Sequence, residues 1–240
     1  MRLLRFPVLG STSSHALELA RRGAAHGTVV QADQQSSGRG RGSKQFCSPP
    51  GGLYFSVILR PELEAADWPL LTLAAGVSLA AALRQAAGVQ PQLKWPNDLY
   101  LADRKLGGIL TESGPLRAGR PEFVVIGVGI NIAAPPEDFP TELRSRIITL
   151  AEAGAAVSPD ELLPLLVNEL LTAPAQLKAD KAAVLAAWRQ LDYLLGRPLE
   201  YGDATAVGAG LAEDGRYVIL DSSGREHRVT AGEIRMSCCC

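Results

Sequence analysis

The 240-residue chain is poor in the groups that mark several functional classes. It has three histidines and four cysteines, and Cys238, Cys239 and Cys240 crowd the last positions while Cys47 stands alone. That pattern offers neither a disulfide framework nor a spaced metal-ligand set, so no metal-binding residues are assigned. Phe, Trp and Tyr make up only 5% of the chain and the formal net charge is -1. A nucleic-acid module relying on a broad basic, aromatic surface is therefore disfavoured. No basic leader precedes an apolar segment, and no uninterrupted apolar run is long enough to cross a bilayer. These absences predict a cytoplasmic protein with no membrane partner. What is abundant is apolar residues, at 47%, enough for one sizeable domain with a small appendage.

Hydrophobic patterning places strands at about 3–9, 28–32 and 53–59, and the hydroxyls of Ser11-Thr12-Ser13-Ser14 cap a helix over 15–22. An Ala/Leu-rich helix is expected over 69–87, with Pro69 in its first turn. Further strands at 92–95, 100–101, 106–112 and 122–132 complete a mixed sheet of six or seven strands. Ser158-Pro159-Asp160-Glu161 reads as a capping box opening a helix towards Leu177, and a second helix runs over 181–195 with Gly196 at its end. From Pro198 the text changes to short alternating segments at 199–201, 204–210, 217–221 and 227–229, which predict a small β-barrel docked on the larger unit. The expected fold class is α+β, a mixed sheet packed with helices over 1–195 and a barrel over 196–240.

Two segments carry chemistry. Gly38-Arg39-Gly40-Arg41-Gly42-Ser43-Lys44 places three cations among three glycines, so backbone N–H groups and guanidinium forks can converge on an anion. Taken alone, such a run also describes a flexible nucleic-acid tether. Lys94-Trp95-Pro96-Asn97-Asp98-Leu99 ends a strand in a cation and turns sharply; an inner-strand lysine is better explained by a ligand cleft than by burial. Lys105 leads into Gly107-Gly108-Ile109-Leu110 and can return a second cation to that cleft. Gly127-Val128-Gly129-Ile130-Asn131 permits close approach of a ring system, with an amide at its end suited to an adenine edge.

In this order and spacing the segments resemble the catalytic core of the biotin protein ligases. There a Gly-Arg-Gly-Arg loop, a Lys-Trp-Pro-Asn-Asp turn, a Lys-Leu-x-Gly-Ile-Leu strand and a Gly-x-Gly-Ile-Asn strand recur. Ala32-Asp33-Gln34-Gln35 is similar to the segment before the loop, and the part ending Gly232-Glu233-Ile234 is similar to the family's SH3-like barrel. The resemblance implies two steps: biotin and MgATP form biotinyl-5′-adenylate and pyrophosphate, then a lysine of a biotin carboxyl carrier domain takes the acyl group. It implies Arg39, Arg41, Lys94 and Lys105 as catalytic residues. Biotin would be held by Ser11, Thr12, Ser13, Gln35, Gly38, Arg39, Gly40, Arg41, Phe46, Lys94, Gly108 and Gly127, and the nucleotide by Arg41, Lys94, Asn97, Lys105 and Asn131. No general base is nominated, and Asp98 is read as a turn former. The loop is expected to be mobile until ligand closes it. With two residues ahead of the first strand, no operator-binding domain is expected, and the resemblance favours a homodimer.

The chain departs from the family at Ser13, where asparagine is usual, and at Ser43, Lys44 and Phe46, where glycine, arginine and tryptophan are usual. Lys44 keeps charge without the bidentate fork, and Phe46 covers less apolar area without an indole N–H. Two alternatives of the same architecture stay open: a lipoate or octanoate ligase, and a biotin sensor without turnover.

Overall fold

The computed structural model describes residues 2–117, 120–202, 204–229 and 234–236; Cys238 to Cys240, Gly232 and Glu233 lie outside them. Seven strands form the main sheet: β1 (Arg2–Leu9), β2 (Thr28–Gln35), β3 (Gly52–Leu59), β4 (Gln92–Lys94), β5 (Asp98–Leu101), β6 (Arg104–Ser113) and, after the short hairpin β7 (Leu116–Arg117) and β8 (Arg120–Pro121), β9 (Val124–Asn131). Their order is β1-β2-β3-β9-β6-β5-β4. β1 pairs with β2 in parallel and every other neighbour is antiparallel, so the sheet is mixed.

The sheet is apolar on both faces, and the two-residue period of a strand sorts the side chains. Val29, Phe55, Val57, Ile126 and Val128 join one core with helix α2 (Leu71–Ala87), while Val30, Ile58 and Val125 join Ala16, Leu17 and Ala20 of helix α1 (Thr12–Arg21) on the opposite face. Ser56, Gly127 and Gly129 share the α1 face with Ile58 and Val125, two or four residues along the same strands. Beyond the α1 N-terminus that face is therefore left with small residues instead of aliphatic ones, and the site forms there.

The segment Ala66–Ala87 is long and apolar. It runs 22 residues at a mean hydropathy of 1.4 in its most apolar window, long and apolar enough to cross a membrane by those two measures. Here it is a core element: a 3-10 turn (Ala65–Leu70) holding Pro69 leads into α2, whose Leu71, Leu79 and Leu83 are completely buried. It packs on the sheet and on helices α4 (Pro159–Ala179) and α5 (Lys181–Gln190), which follow the single-turn α3 (Thr141–Arg144). The capping box forms as expected, Ser158 Oγ accepting from Glu161 N and Glu161 Oε2 accepting from Ser158 N.

Helix α5 ends at Gln190, five residues before the expected end. The following chain is recruited by the sheet: Leu93 N donates to Leu191 O at 2.7 Å, Tyr193 N donates to Leu93 O at 3.0 Å, and Asp192 Oδ1 accepts from Leu194 N. Gly196, at φ +73°, serves the turn that follows. Five strands then form a separate antiparallel sheet: β10 (Pro198–Tyr201), β11 (Ala204–Leu211), β12 (Tyr217–Asp221), β13 (Glu226–Val229) and β14 (Ile234–Met236), in the order β13-β12-β11-β10-β14. The arrangement is compatible with an SH3-like fold; pairing of β13 with β14, which would close a barrel, is not found among the described residues. Strand β14 was not anticipated. Leu199, Tyr217, Ile219 and Val229 of this sheet belong to the same apolar core as α2 and α5, so the small sheet is docked.

Because α2 lies between the main sheet and helices α4 and α5, Leu79→Ala is expected to cost about 2–5 kcal/mol. Urea unfolding would show it as a lower midpoint at unchanged slope, and a loss well under 1 kcal/mol would mean that α2 is not the central packing element.

Candidate active site

A cavity of about 550 Å³ opens on the α1 face of the main sheet. One end is a network of hydroxyls and one amide. Ser11 caps α1, its Oγ accepting from Ser14 N, and so delivers Thr12 and Ser13 to the sheet surface. Gln35 Oε1 accepts from Thr12 N at 2.8 Å and from Thr12 Oγ1 at 3.2 Å, while its Nε2 donates to Ser48 Oγ at 2.8 Å. Ser56 Oγ donates to Thr12 Oγ1 at 2.9 Å and lies 3.2 Å from Ser13 Oγ. A Cβ at Gly127 would overlap Ser13 Oγ, which is why the helix start can lie directly on β9.

The other end is cationic. Lys94, Lys105, Arg41 and Lys44 all line it, with Asp98 as the carboxylate among the lining residues. Asp98 does more than form a turn: Lys105 Nζ is 2.7 Å from its Oδ1, an ion pair that fixes the lysine within the cavity. Lys94 Nζ donates to Tyr100 Oη at 3.2 Å and lies 5.0 Å from the centre of that ring. Burial lowers the pKa of the Lys94 ammonium; Asp98 opposes this, and Lys105, Arg146 and Lys44 add to it as like charges. Burial also pushes the Tyr100 hydroxyl up to about 12, so it stays protonated as a neutral partner.

The loop over the cavity is a small hairpin. Gly40 N donates to Lys44 O at 2.8 Å and Phe46 N donates to Gly38 O at 2.9 Å. Arg39 makes a bidentate pair with Glu112 of β6, at 2.9 and 2.7 Å. Phe46 packs on glycine: a Cβ at Gly129 would come within 2.5 Å of Phe46 Cε1, and one at Gly108 within 3.4 Å of Cε2. Lys105 Nζ stands 5.6 Å from the centre of the Phe46 ring.

Of the residues expected from sequence, Thr12, Ser13, Gln35, Arg39, Gly40, Arg41, Phe46, Lys94, Asn97, Lys105, Gly108 and Gly127 line this one cavity. Three do not. Ser11 is a helix cap, Gly38 is a buried point where a Cβ would meet Phe46 O and Ser48 Oγ, and Asn131 is buried with its Nδ2 donating at 3.3 Å to both Lys105 O and Ile148 O. The Asn131 donor imagined for adenine is thus engaged by main chain. Asn97 reaches the cavity, but its Nδ2 also donates to Ile109 O, bracing the turn against β6. Sequence reasoning missed Ser56, Tyr100, Glu112 and Ile234. Only the two-residue strand period could have pointed to Ser56, while Ile234 comes from the small sheet. Cys47 is off the cavity among Ala134, Phe139 and Ile147, and burial raises its thiol pKa, so it is no ready nucleophile.

Residues 6–131 match the model of the biotin/lipoate A/B protein ligase family. Among curated relatives, the biotin--[acetyl-CoA-carboxylase] ligase of Paracoccus denitrificans is 32% identical over 225 residues, 90% of this chain and 93% of that one. The bifunctional ligase/repressor BirA of Bacillus subtilis is 43% identical over 153 residues, covering 63% of this chain and 47% of the relative, so that the match spans under half of that protein's length. A biotin protein ligase from Aquifex aeolicus, solved in complex with biotin and ATP, superposes with a TM-score of 0.82 at 29% identity, covering 98% of this chain and 99% of that one.

Two outcomes follow from the site geometry. Gly129→Ala is expected to lift Phe46 from the sheet and hasten trypsin cleavage after Arg41 and Lys44; unchanged cleavage would show that Phe46 does not anchor the loop. A lysine with a depressed folded-state pKa binds fewer protons folded than unfolded, so its contribution to stability rises with pH across that window and is adverse below it. Lys94→Met is accordingly expected to raise the Tm of the ligand-free protein at neutral pH, and an equal or lower Tm would count against a desolvated, charged Lys94.

Proposed function

The chain belongs to the biotin/lipoate A/B protein ligase family, and from that premise we propose that it is an ATP-dependent biotin protein ligase. The observation that carries the proposal is the two-ended cavity. Its hydroxyl and amide end, Thr12, Ser13 and Gln35, matches a uncharged ureido ring with donors and acceptors, and its cationic end suits a carboxylate meeting a triphosphate. Neither end suits the whole ligand alone.

In the first step a carboxylate oxygen of biotin attacks the α-phosphorus of MgATP. The bond to the pyrophosphate oxygen breaks, and biotinyl-5′-adenylate and pyrophosphate result. Two anions must meet for this to happen, so fixed positive charge is the main catalytic resource. Lys94, which lines the cavity, neutralises the carboxylate and the developing acyl phosphate. Lys105, oriented by Asp98, takes the phosphates, with Arg41 and Lys44 closing from the loop. Mg²⁺ enters with the nucleotide, whose phosphate oxygens are its natural ligands; no group of three or more His, Cys, Asp or Glu suited to a metal occurs among the described residues. Asn131 acts as a support for the Lys105 backbone, and Ser11 as the cap that sets Thr12 and Ser13 in place.

In the second step the amine of an acceptor lysine attacks the acyl carbon. A C–N bond forms, the C–O bond to AMP breaks, and the two protons lost from the original ammonium go to solvent. The acceptor is the biotin carboxyl carrier domain of a biotin-dependent carboxylase, and the setting is the cytoplasm. A homodimer through an exposed edge of the main sheet, where Leu3 and Val8 of β1 are solvent-facing, fits the same picture.

Pyrophosphate–ATP exchange with Mg²⁺ tests the first step without an acceptor. Exchange is expected with biotin and not with lipoate or octanoate; exchange with lipoate alone would reassign the substrate. Lys94→Ala is expected to lower biotin-dependent exchange by roughly 10²–10³-fold, and undiminished exchange would remove Lys94 from the mechanism.

A further inference from the structure

On the far side of the Gly/Arg loop lies a second cavity, of about 500 Å³. It is bounded by Pro69, Thr72 and Leu73 at the start of α2 and by the β11–β12 turn at Asp214, Gly215 and Arg216. Its other walls are Ile109 to Glu112 of β6, Val229, the turn Trp95 to Asn97 and the loop itself, Arg39 to Gly42; the loop, that turn, Ile109 and Leu110 also line the first cavity. The loop is therefore a partition between two spaces. The loop is fastened where Arg39 is gripped by Glu112, and beside it Trp95 Nε1 donates to Gly215 O at 3.0 Å, tying the Lys94 turn to the small sheet.

The two spaces differ in charge. The first carries Lys94, Lys105, Lys44 and Arg41 against Asp98. In the second, Arg39 is matched by Glu112 and Arg216 by Asp214 at 2.7 Å, leaving Arg41, shared by both, as the unmatched charge. Thr111 Oγ1, on a residue lining the second cavity, is a buried hydroxyl with no hydrogen-bond partner. An incoming lysine ammonium meets repulsion of up to about 4 kcal/mol from each like charge near 4 Å in a partly desolvated site. The crowded cationic mouth is thus the worse approach for it, while the charge-matched space ends at the same loop backbone.

We propose that the second cavity is the route by which the acceptor lysine reaches the adenylate, an inference that rests on the ligase function above. The aliphatic stem of the lysine runs along Pro69, Leu73 and Val229. The amine passes the partition at the glycines; a Cβ at Gly42 would meet nothing, so no side chain closes that point. The chemistry is the transfer already balanced: C–N forms, C–O to AMP breaks, and the protons leave to water.

Filling the space separates the two half-reactions. Thr72 is partly exposed on α2 and lines the second cavity only. In Thr72→Trp, biotin-dependent pyrophosphate exchange is expected to stay within about twofold of the unsubstituted protein, while single-turnover transfer to a carrier domain slows by roughly tenfold or more. Unslowed transfer would overturn the route, and so would a parallel fall of both reactions, because the cavity would then belong to adenylation. Asp214→Lys, in an exposed turn, is the second variant: slower transfer at low ionic strength that recovers with added salt is expected, with exchange unchanged, and salt-independent transfer at the original rate would count against the proposal. Exchange by the unsubstituted protein is the control for the function itself, and its absence would overturn both.

Discussion

The structure is organised around a crowding of like charge. Lys94, Lys105, Arg41 and Lys44 converge on one cavity with Asp98 as the lining carboxylate, an arrangement of like charge that by itself opposes folding. Its cost is visible at Lys94, whose ammonium loses hydration and faces three further cations. The fold tolerates this by giving each charge a separate support: Tyr100 for Lys94, Asp98 for Lys105, and a hydrogen-bonded hairpin for Arg41 and Lys44. An apolar core over the opposite sheet face supplies the stability that the site does not.

Small residues make the crowding geometrically feasible. On the α1 face, Ser56, Gly127, Gly129 and Gly108 leave a shallow bed on which the α1 N-terminus and the Phe46 ring rest directly. One methyl group at either β9 glycine would intrude on Ser13 or Phe46. The same bed explains how a smaller aromatic at position 46 still closes the loop: the ring is held by contact with backbone and by the nearby Lys105 cation, and neither contact requires an indole N–H.

The small sheet takes part in this organisation through Trp95. Its indole N–H is held by Gly215 O, its ring lies 5.9 Å from that of Tyr217, and Tyr217 Oη donates to Asp192 at 2.9 Å. A chain of polar and aromatic contacts therefore links the residue after Lys94 to the segment 191–195 that leaves α5 to pair with β4. The turn bearing Lys94 is set by two sheets at once.

Local chemistry was legible in the sequence wherever a single segment dictates its own conformation: the Ser158–Glu161 capping box, the alternating strands of both sheets, the glycine-rich loop and the Lys94–Asp98 turn. So was the identity of most cavity residues, since the motifs contain them. Contacts between segments were decided only by tertiary structure. The end of α5 is set by pairing with Leu93, the Asn131 Nδ2 is spent on carbonyls of two other segments, and the Arg39 guanidinium is paired by Glu112, far away in sequence. Ala66–Ala87 illustrates the division: its composition suits a bilayer and a protein core equally, and only the helices and sheet around it determine which apolar surroundings it has. Residue types and spacing determine which groups can act. Which of them face the same space depends on the sheet register and on partners that compete for each hydrogen bond.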